Sequence, residues 1–198
     1  MNLLLSLPLV LSLVVCIVSL PNWIKKARKM GLIWEDMNVY KHPRNLAGSG
    51  GLIVILSFIF GVLAYVAIKT FVFNVEMSTV EIFALLTTVI ISSVIGIIDD
   101  FIGWHRGGLS VKVRIFLTII AAVPLMVINA GVSKINIPFI GLSDIGIFYP
   151  LILIPIAIVG ATTTYNFLAG MKGLEAGQGM IVVGFLSFIA YVTGNSWL

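Results

Sequence analysis

The sequence predicts an all-α polytopic integral membrane protein, with about six transmembrane helices and a small external hairpin in one membrane domain over residues 1–198. Hydrophobic residues make up 60% of the chain and charged residues only 10%, and the mean hydropathy is +1.14. Soluble domains do not have this composition. Several apolar runs are also long enough to cross a bilayer as helices, which points to the same class.

Six apolar runs are the predicted spans. They cover residues 3–20, 51–73, 80–98, 113–129, 148–165 and 179–192. The first run is not a cleavable signal peptide, because no basic residue precedes it and a basic cluster follows it. After the fourth run, residues 134–139 alternate between polar and apolar, and Gly141 ends the alternation. This pattern predicts a hairpin at the outer surface.

The basic residues predict the orientation. Ten of the twelve lie after the first, third and fifth spans, and only Lys69 and Lys134 lie on the other side. Because basic residues accumulate in cytoplasmic loops, the N-terminus is predicted to be outside and these three loops cytoplasmic. The ten residues are Lys25, Lys26, Arg28, Lys29, Lys41, Arg44, Arg106, Lys112, Arg114 and Lys172.

Composition argues against several other classes. The single cysteine, Cys16, allows no intrachain disulfide and no zinc cluster. The net charge of +4 follows from the topology, and no basic stripe with exposed aromatics suggests a nucleic-acid partner. A small transporter or channel would place ionisable residues near the bilayer midplane, whereas here they gather at one face.

The pair Asp99 and Asp100 is the first sign of catalytic chemistry. It follows the apolar residues 92–98, where the C-terminal end of a helix carries partial negative charge, so the acids need a cation or ligand. Neighbouring helical residues point about 100° apart, which predicts different partners for the two acids. A metal ion and a lysine are one such set, and Lys112 could hold one aspartate ionised. A solvated turn with ion pairs is the alternative.

The loop after the first span adds a glycine-rich segment. Gly50 and Gly51 precede the second span, where glycine lets the backbone approach a ligand and free N–H groups can hold an anion. Lys41 adds positive charge nearby. Taken alone, this loop is better explained as a basic topogenic loop that leads flexibly into the second span.

The loop after the fifth span places an amide among glycines. If it is helical, Asn166, Gly170, Gly173 and Gly177 share one face of small residues. Close helix packing would explain the glycines but not Asn166, nor Glu175 within the same run. The carbonyl oxygen of an asparagine is a suitable hard ligand for Mg²⁺.

Together these loops resemble the polyprenyl-phosphate N-acetylhexosamine-1-phosphate transferase superfamily, glycosyltransferase family 4. The likeness is strongest to its eukaryotic and archaeal branch, which makes dolichyl-linked GlcNAc phosphate for N-glycosylation; other members act in cell wall biogenesis. The resemblance is carried most strongly by the block from Asp144-Ile145-Gly146-Ile147 through Asn166-Phe167-Leu168-Ala169-Gly170 to Gly173-Leu174-Glu175-Ala176-Gly177-Gln178. Asp99-Asp100 and residues 36–51 agree with it in order and spacing. The resemblance implies transfer of sugar-1-phosphate from a UDP-sugar to polyprenyl or dolichyl phosphate at the cytoplasmic face of the bilayer, with release of UMP.

The resemblance also implies roles for individual residues. Asn166 would be a ligand of Mg²⁺, with Mn²⁺ as a possible substitute, and Asp99 and Asp100 would lie beside the metal and the lipid phosphate. Lys112 would pair with the acids as a third catalytic residue. A homodimer is a possible assembly. The residues implied to bind substrate are Asp36, Asn38, Lys41, Gly50, Gly51, Gly170, Lys172, Gly173, Leu174 and Glu175.

Two departures from the family pattern shape the expectations. Lys172 stands where eukaryotic members have asparagine in the block AGxNGLEAG. The contacts with the nucleotide are therefore expected to differ from those of the eukaryotic members. Family members have about ten spans, against the six predicted here. The sequence is therefore expected to be an N-terminal portion that is inactive alone. The alternative is a truncated, non-catalytic membrane paralogue that binds lipid or serves as a partner subunit.

Overall fold

The structure, a computed structural model, describes residues 6–35, 44–73, 78–137, 141–168 and 173–194. Within these ranges it is a bundle of apolar helices with two small hairpins, so the predicted all-α membrane class is confirmed. The helices are α1 Leu7–Lys29, α2 Gly51–Phe71, α3 Thr79–Arg106, α4 Val111–Ile128, α5 Ile154–Leu168 and α6 Leu174–Thr193. The strands are β1 Ile33–Glu35, β2 Arg44–Ala47, β3 Lys134–Ile137 and β4 Gly141–Asp144.

Five of the described helices are long and apolar enough to cross a membrane, namely α1, α2, α3, α4 and α6. The remaining predicted span is a shorter apolar helix, Tyr149–Tyr165. It starts with a π-helical turn, Tyr149–Leu153, in which Pro150 occupies one of the first two positions. Proline suits the first turn of a helix because its missing N–H would have no partner there.

Helices α1 and α3 continue well past the C-terminal ends of their predicted spans. Helix α1 ends at Lys29 rather than near residue 20, so its basic cluster lies on the last turns of the helix instead of in a loop. Cations are favourable at that end because the helix dipole is negative there. Helix α3 continues to Arg106, and Gly107 ends it with a left-handed φ of +85°. Asp99 and Asp100 therefore lie inside α3, where the terminal dipole has largely faded, and not at its end as predicted.

Helices that follow one another in the sequence pack against each other. The most extensive contacts are between α3 and α4, α1 and α2, and α4 and α5, whereas α6 touches α5 only slightly. Small residues permit the close approach: Ala121 and Ala122 of α4 are fully buried. A Cβ added to Gly61 of α2 would lie 2.8 Å from the Cβ of Ser12 in α1. This is the small-residue packing expected of membrane helices.

Both hairpins are antiparallel. The predicted one forms between β3 and β4, with Lys134 opposite Asp144 and Ile137 opposite Gly141. The Oδ1 atom of Asp144 accepts a hydrogen bond from the N–H of Gly146 at 3.0 Å, which lowers the pKa of this exposed carboxyl. A second hairpin, β1–β2, follows α1 and was not predicted. The two hairpins lie at opposite ends of the bundle, since the β3–β4 hairpin follows the far end of α4.

Candidate active site

Asp99, two turns before the end of α3, connects this helix to the turn before α4 and to α4 itself. Its Oδ1 accepts a hydrogen bond from the N–H of Leu109 at 2.7 Å, and its Oδ2 accepts one from Nη2 of Arg114 at 2.6 Å. The turn fits closely around the carboxylate, because a Cβ added to Gly108 would lie 3.1 Å from Oδ1. Gly108 also has a left-handed φ of +85°. Both oxygens of Asp99 are thus engaged within the protein.

The ion pair of Asp99 is with Arg114 and not with Lys112, the partner that the sequence predicts. Helix α4 begins at Val111, so residues 112 and 114 point about 200° apart around it. Arg114 faces α3, and Lys112 is exposed. The planar guanidinium also suits a carboxylate better than a lysine ammonium does. A role for Lys112 in the reaction stays a prediction.

Asp100 has a different environment, which confirms that the two acids have different partners. Its Oδ2 accepts a hydrogen bond from Oγ of Ser49 at 3.3 Å, and the residue is exposed. An ionised carboxylate offers about four lone-pair sites, of which one bond to a hydroxyl uses only one. Among the described residues, Asp100 therefore has oxygen lone pairs left for a cation or a substrate, and a hard oxygen donor fits Mg²⁺.

The segment that leads into α2 packs beside the acids. The backbone carbonyl oxygen of Gly48 accepts a hydrogen bond from the indole N–H of Trp23 at 3.2 Å. The side chain of Trp34 covers Gly48 so closely that an added Cβ would lie 2.5 Å from Nε1. Around Gly50 and Gly51, by contrast, an added Cβ would meet nothing within 4 Å. Packing within the described residues therefore does not require glycine there, and their predicted substrate contact stays a prediction.

The segment after the fifth span is not one continuous helix. Helix α5 ends at Leu168, and α6 begins at Leu174 after Gly173, whose φ of +83° is left-handed. The predicted single face of small residues from Asn166 to Gly177 is therefore wrong, because a left-handed residue interrupts the helix. Glu175 lies in the first turn of α6, where an acid interacts favourably with the helix dipole.

Several predicted site residues cannot be placed. The backbone of Asn166 lies in the last turn of α5, but its side chain is outside the described part of the structure. Other predicted site residues lie wholly outside the described residues, namely Asp36, Asn38, Lys41, Gly170 and Lys172. Among the residues that are described, no group of three or more His, Cys, Asp or Glu side chains could hold a metal ion.

A cavity of about 450 Å³ opens between α3, α5 and the start of α6. It is lined by Ser92, Ala161, Thr162, Tyr165 and Glu175. Ser92 and Asp99 are seven residues apart on α3 and so share a face of that helix. In the sequence, the polar run 162–165 and the serines at 92 and 93 interrupt apolar spans. This pattern could have predicted a cavity with polar groups between the two helices.

The fold and this site define a polytopic membrane protein whose polar, acidic site lies at one end of its helices. The sequence profile described as glycosyl transferase family 4 matches residues 82–198, more than half of the chain. The chain therefore belongs to glycosyl transferase family 4, as its resemblance implied.

Curated relatives agree with this assignment. The chain is 32% identical over 187 residues to a Saccharolobus solfataricus protein provisionally named UDP-N-acetylglucosamine–dolichyl-phosphate N-acetylglucosaminephosphotransferase, covering 92% of this chain and 53% of that protein. It is 31% identical over 200 residues to the phospho-N-acetylmuramoyl-pentapeptide-transferase of Halalkalibacterium halodurans, covering 96% of this chain and 59% of that protein. The chain thus spans little more than half the length of these relatives.

Proposed function

We propose that this chain supplies the acidic part of an active site for sugar-1-phosphate transfer. The donor is a UDP-sugar, most simply UDP-GlcNAc, the acceptor is polyprenyl or dolichyl phosphate, and UMP is released. One observation carries the proposal: of two adjacent aspartates, Asp99 is held by Arg114 and Leu109, while Asp100 has only one hydrogen-bond partner, Ser49, among the described residues. The family assignment and the names of the relatives support the reaction class.

The residues suit phosphoryl transfer because that reaction depends on positioning and charge neutralisation more than on covalent chemistry. Asp99 and Arg114 fix the turn between α3 and α4, so the backbone that carries Asp100 is rigid. Asp100 and Asn166 are the residues that would hold Mg²⁺, since both offer oxygen donors. When bound, the cation would neutralise negative charge on the phosphates. The cavity lined by Ser92, Thr162, Tyr165 and Glu175 has room for part of a substrate.

A transfer assay tests the proposal. A complete protein that carries this chain, purified in detergent with Mg²⁺, a polyprenyl phosphate and radiolabelled UDP-GlcNAc, is expected to form lipid-linked GlcNAc phosphate and UMP in equal amounts. The 198 residues alone are expected to stay at background, because nearly half of each relative has no counterpart in the chain. A complete protein with no product from any UDP-N-acetylhexosamine would contradict the proposed function.

We further propose that the acidic end of the bundle faces the cytoplasm. In a variant with Cys16→Ala, single cysteines at positions 25, 106 and 172 are expected to react with an impermeant maleimide only after the membrane is permeabilised. Cysteines at positions 69 and 134 are the matched controls and are expected to react in intact cells, because these are the two basic residues on the other side. Ready labelling of the first three from outside would reverse the orientation.

A further inference from the structure

Ser49 has a backbone conformation that is unusual for its residue type. Its φ is +53°, in the left-handed region, and the residue is only 7% exposed. Glycine adopts this conformation freely, whereas a residue with a Cβ does so at a cost. Glycines stand on both sides, at Gly48 and Gly50, so a serine occupies a place where the backbone favours glycine. Such strain in a structure is a reason to ask what the side chain does.

The hydroxyl of Ser49 contacts the candidate site directly. Its Oγ donates a hydrogen bond to Oδ2 of Asp100 at 3.3 Å, joining positions 51 residues apart in the chain. A glycine or alanine could not provide this bond. A neutral donor holds one carboxylate oxygen in place without cancelling its charge, so the other lone pairs stay available for a ligand.

Two tryptophans hold Ser49 in position. The indole N–H of Trp23 in α1 bonds the carbonyl of Gly48, the preceding residue. Trp34 lies against Gly48 and also reaches Gly103, where an added Cβ would be 3.4 Å from its Cη2 atom. Gly103 is on α3, three residues after Asp100. The segment with Ser49 is thus fixed to α1 and to the same part of α3 that carries Asp100, which is how a supporting residue is preorganised.

We propose that Ser49 is a positioning residue for Asp100, holding its carboxylate in the orientation that the transfer reaction uses. This inference rests on the proposed function. It explains why a serine is present in a left-handed, buried position between glycines, where its only described side-chain hydrogen bond is to Asp100.

Two substitutions separate positioning from a structural role, and both are made in a complete protein that carries this chain. Ser49→Ala and Ser49→Gly each remove the hydroxyl, but only glycine relieves the left-handed strain. We expect both variants to lower kcat by about tenfold with little change in KM, because the bond supports a group that acts in the transition state. The unfolding temperature of Ser49→Gly should exceed that of Ser49→Ala.

The matched control is Ser57→Ala in α2. Ser57 is 2% exposed, and the hydrogen bond described for its Oγ is donated to the carbonyl of Ile53 in its own helix, at 2.8 Å. We expect this variant to keep the normal kcat. Ser49→Ala added to Asp100→Asn should cause no further loss, because the two residues act through one carboxylate.

The outcomes separate the inference from the proposed function. If Ser49→Gly keeps wild-type kcat while Asp100→Asn loses activity, the positioning role is overturned and the proposed function stands. If kcat of the two Ser49 variants follows their unfolding temperatures, the role is structural and the inference is again overturned. If the complete protein forms no product, or Asp100→Asn keeps full turnover, the site itself is wrong.

Discussion

Replacing Asp100 by asparagine is expected to lower the turnover of a complete protein that carries this chain by about 10²-fold or more. Asp100 is exposed and has a single described partner, Ser49, so the described fold uses little of its hydrogen-bonding capacity and leaves the rest for a ligand. Asp99→Asn is expected to lower turnover to a similar extent, but for another reason: it releases the turn that Arg114 and Leu109 hold. Steady-state kinetics of both variants provide the measurement.

Thermal unfolding distinguishes the two variants. Asp100→Asn should keep the wild-type unfolding temperature, whereas Asp99→Asn should lower it, because only Asp99 is ion-paired in the described structure. Glu81→Gln is the matched control, since Glu81 lies in the first turn of the same helix, at the end far from the acids. It should keep normal turnover. Near wild-type turnover in both aspartate variants would leave the pair with a structural role alone.

The membrane architecture can be predicted from the sequence because it depends on the average hydropathy of long segments. Each apolar run of about 20 residues corresponds to a described helix, and the alternating segment before Gly141 forms the predicted hairpin. The ends of the helices are predicted less well from sequence, because the hydropathy falls at the first charged residues although the helix continues beyond them. Lys25 and Lys26 extend α1 in this way, as long charged side chains are good helix formers.

The details of the site depend on geometry that sequence spacing does not reveal. Lys112 and Arg114 are two residues apart, and which of them faces α3 is decided by where α4 begins and how it packs. The contact of Ser49 with Asp100 joins segments 51 residues apart through a hairpin that lacks a clear strand pattern. The feature that draws attention to this contact is the left-handed φ of Ser49, which can be read from coordinates but not from the sequence.

The ion pair between Arg114 and Asp99 gives the second large expected effect. Arg114→Met should lower the free energy of unfolding of the purified chain by about 1–3 kcal/mol, because it leaves a mostly buried carboxylate without its cation. The side chains of Arg114 and Asp99 are 31% and 20% exposed, so solvent screens part of the interaction and the lower half of this range is expected. Thermal or denaturant unfolding in detergent measures the change. Arg114→Lys should recover only part of it, because lysine lacks the planar fork.

A double-mutant cycle and a neighbouring lysine complete the test. The loss in an Asp99→Asn, Arg114→Met variant should be smaller than the two single losses added together, because the second substitution removes a group that has already lost its partner. Lys112→Met is the matched control for stability, since it removes a cation two residues away on the exposed side of α4. Its unfolding temperature should equal that of the wild type. If instead Lys112→Met destabilises the chain and Arg114→Met does not, the lysine holds the acids, as the sequence alone predicts, and the arrangement of α3 against α4 described above is wrong.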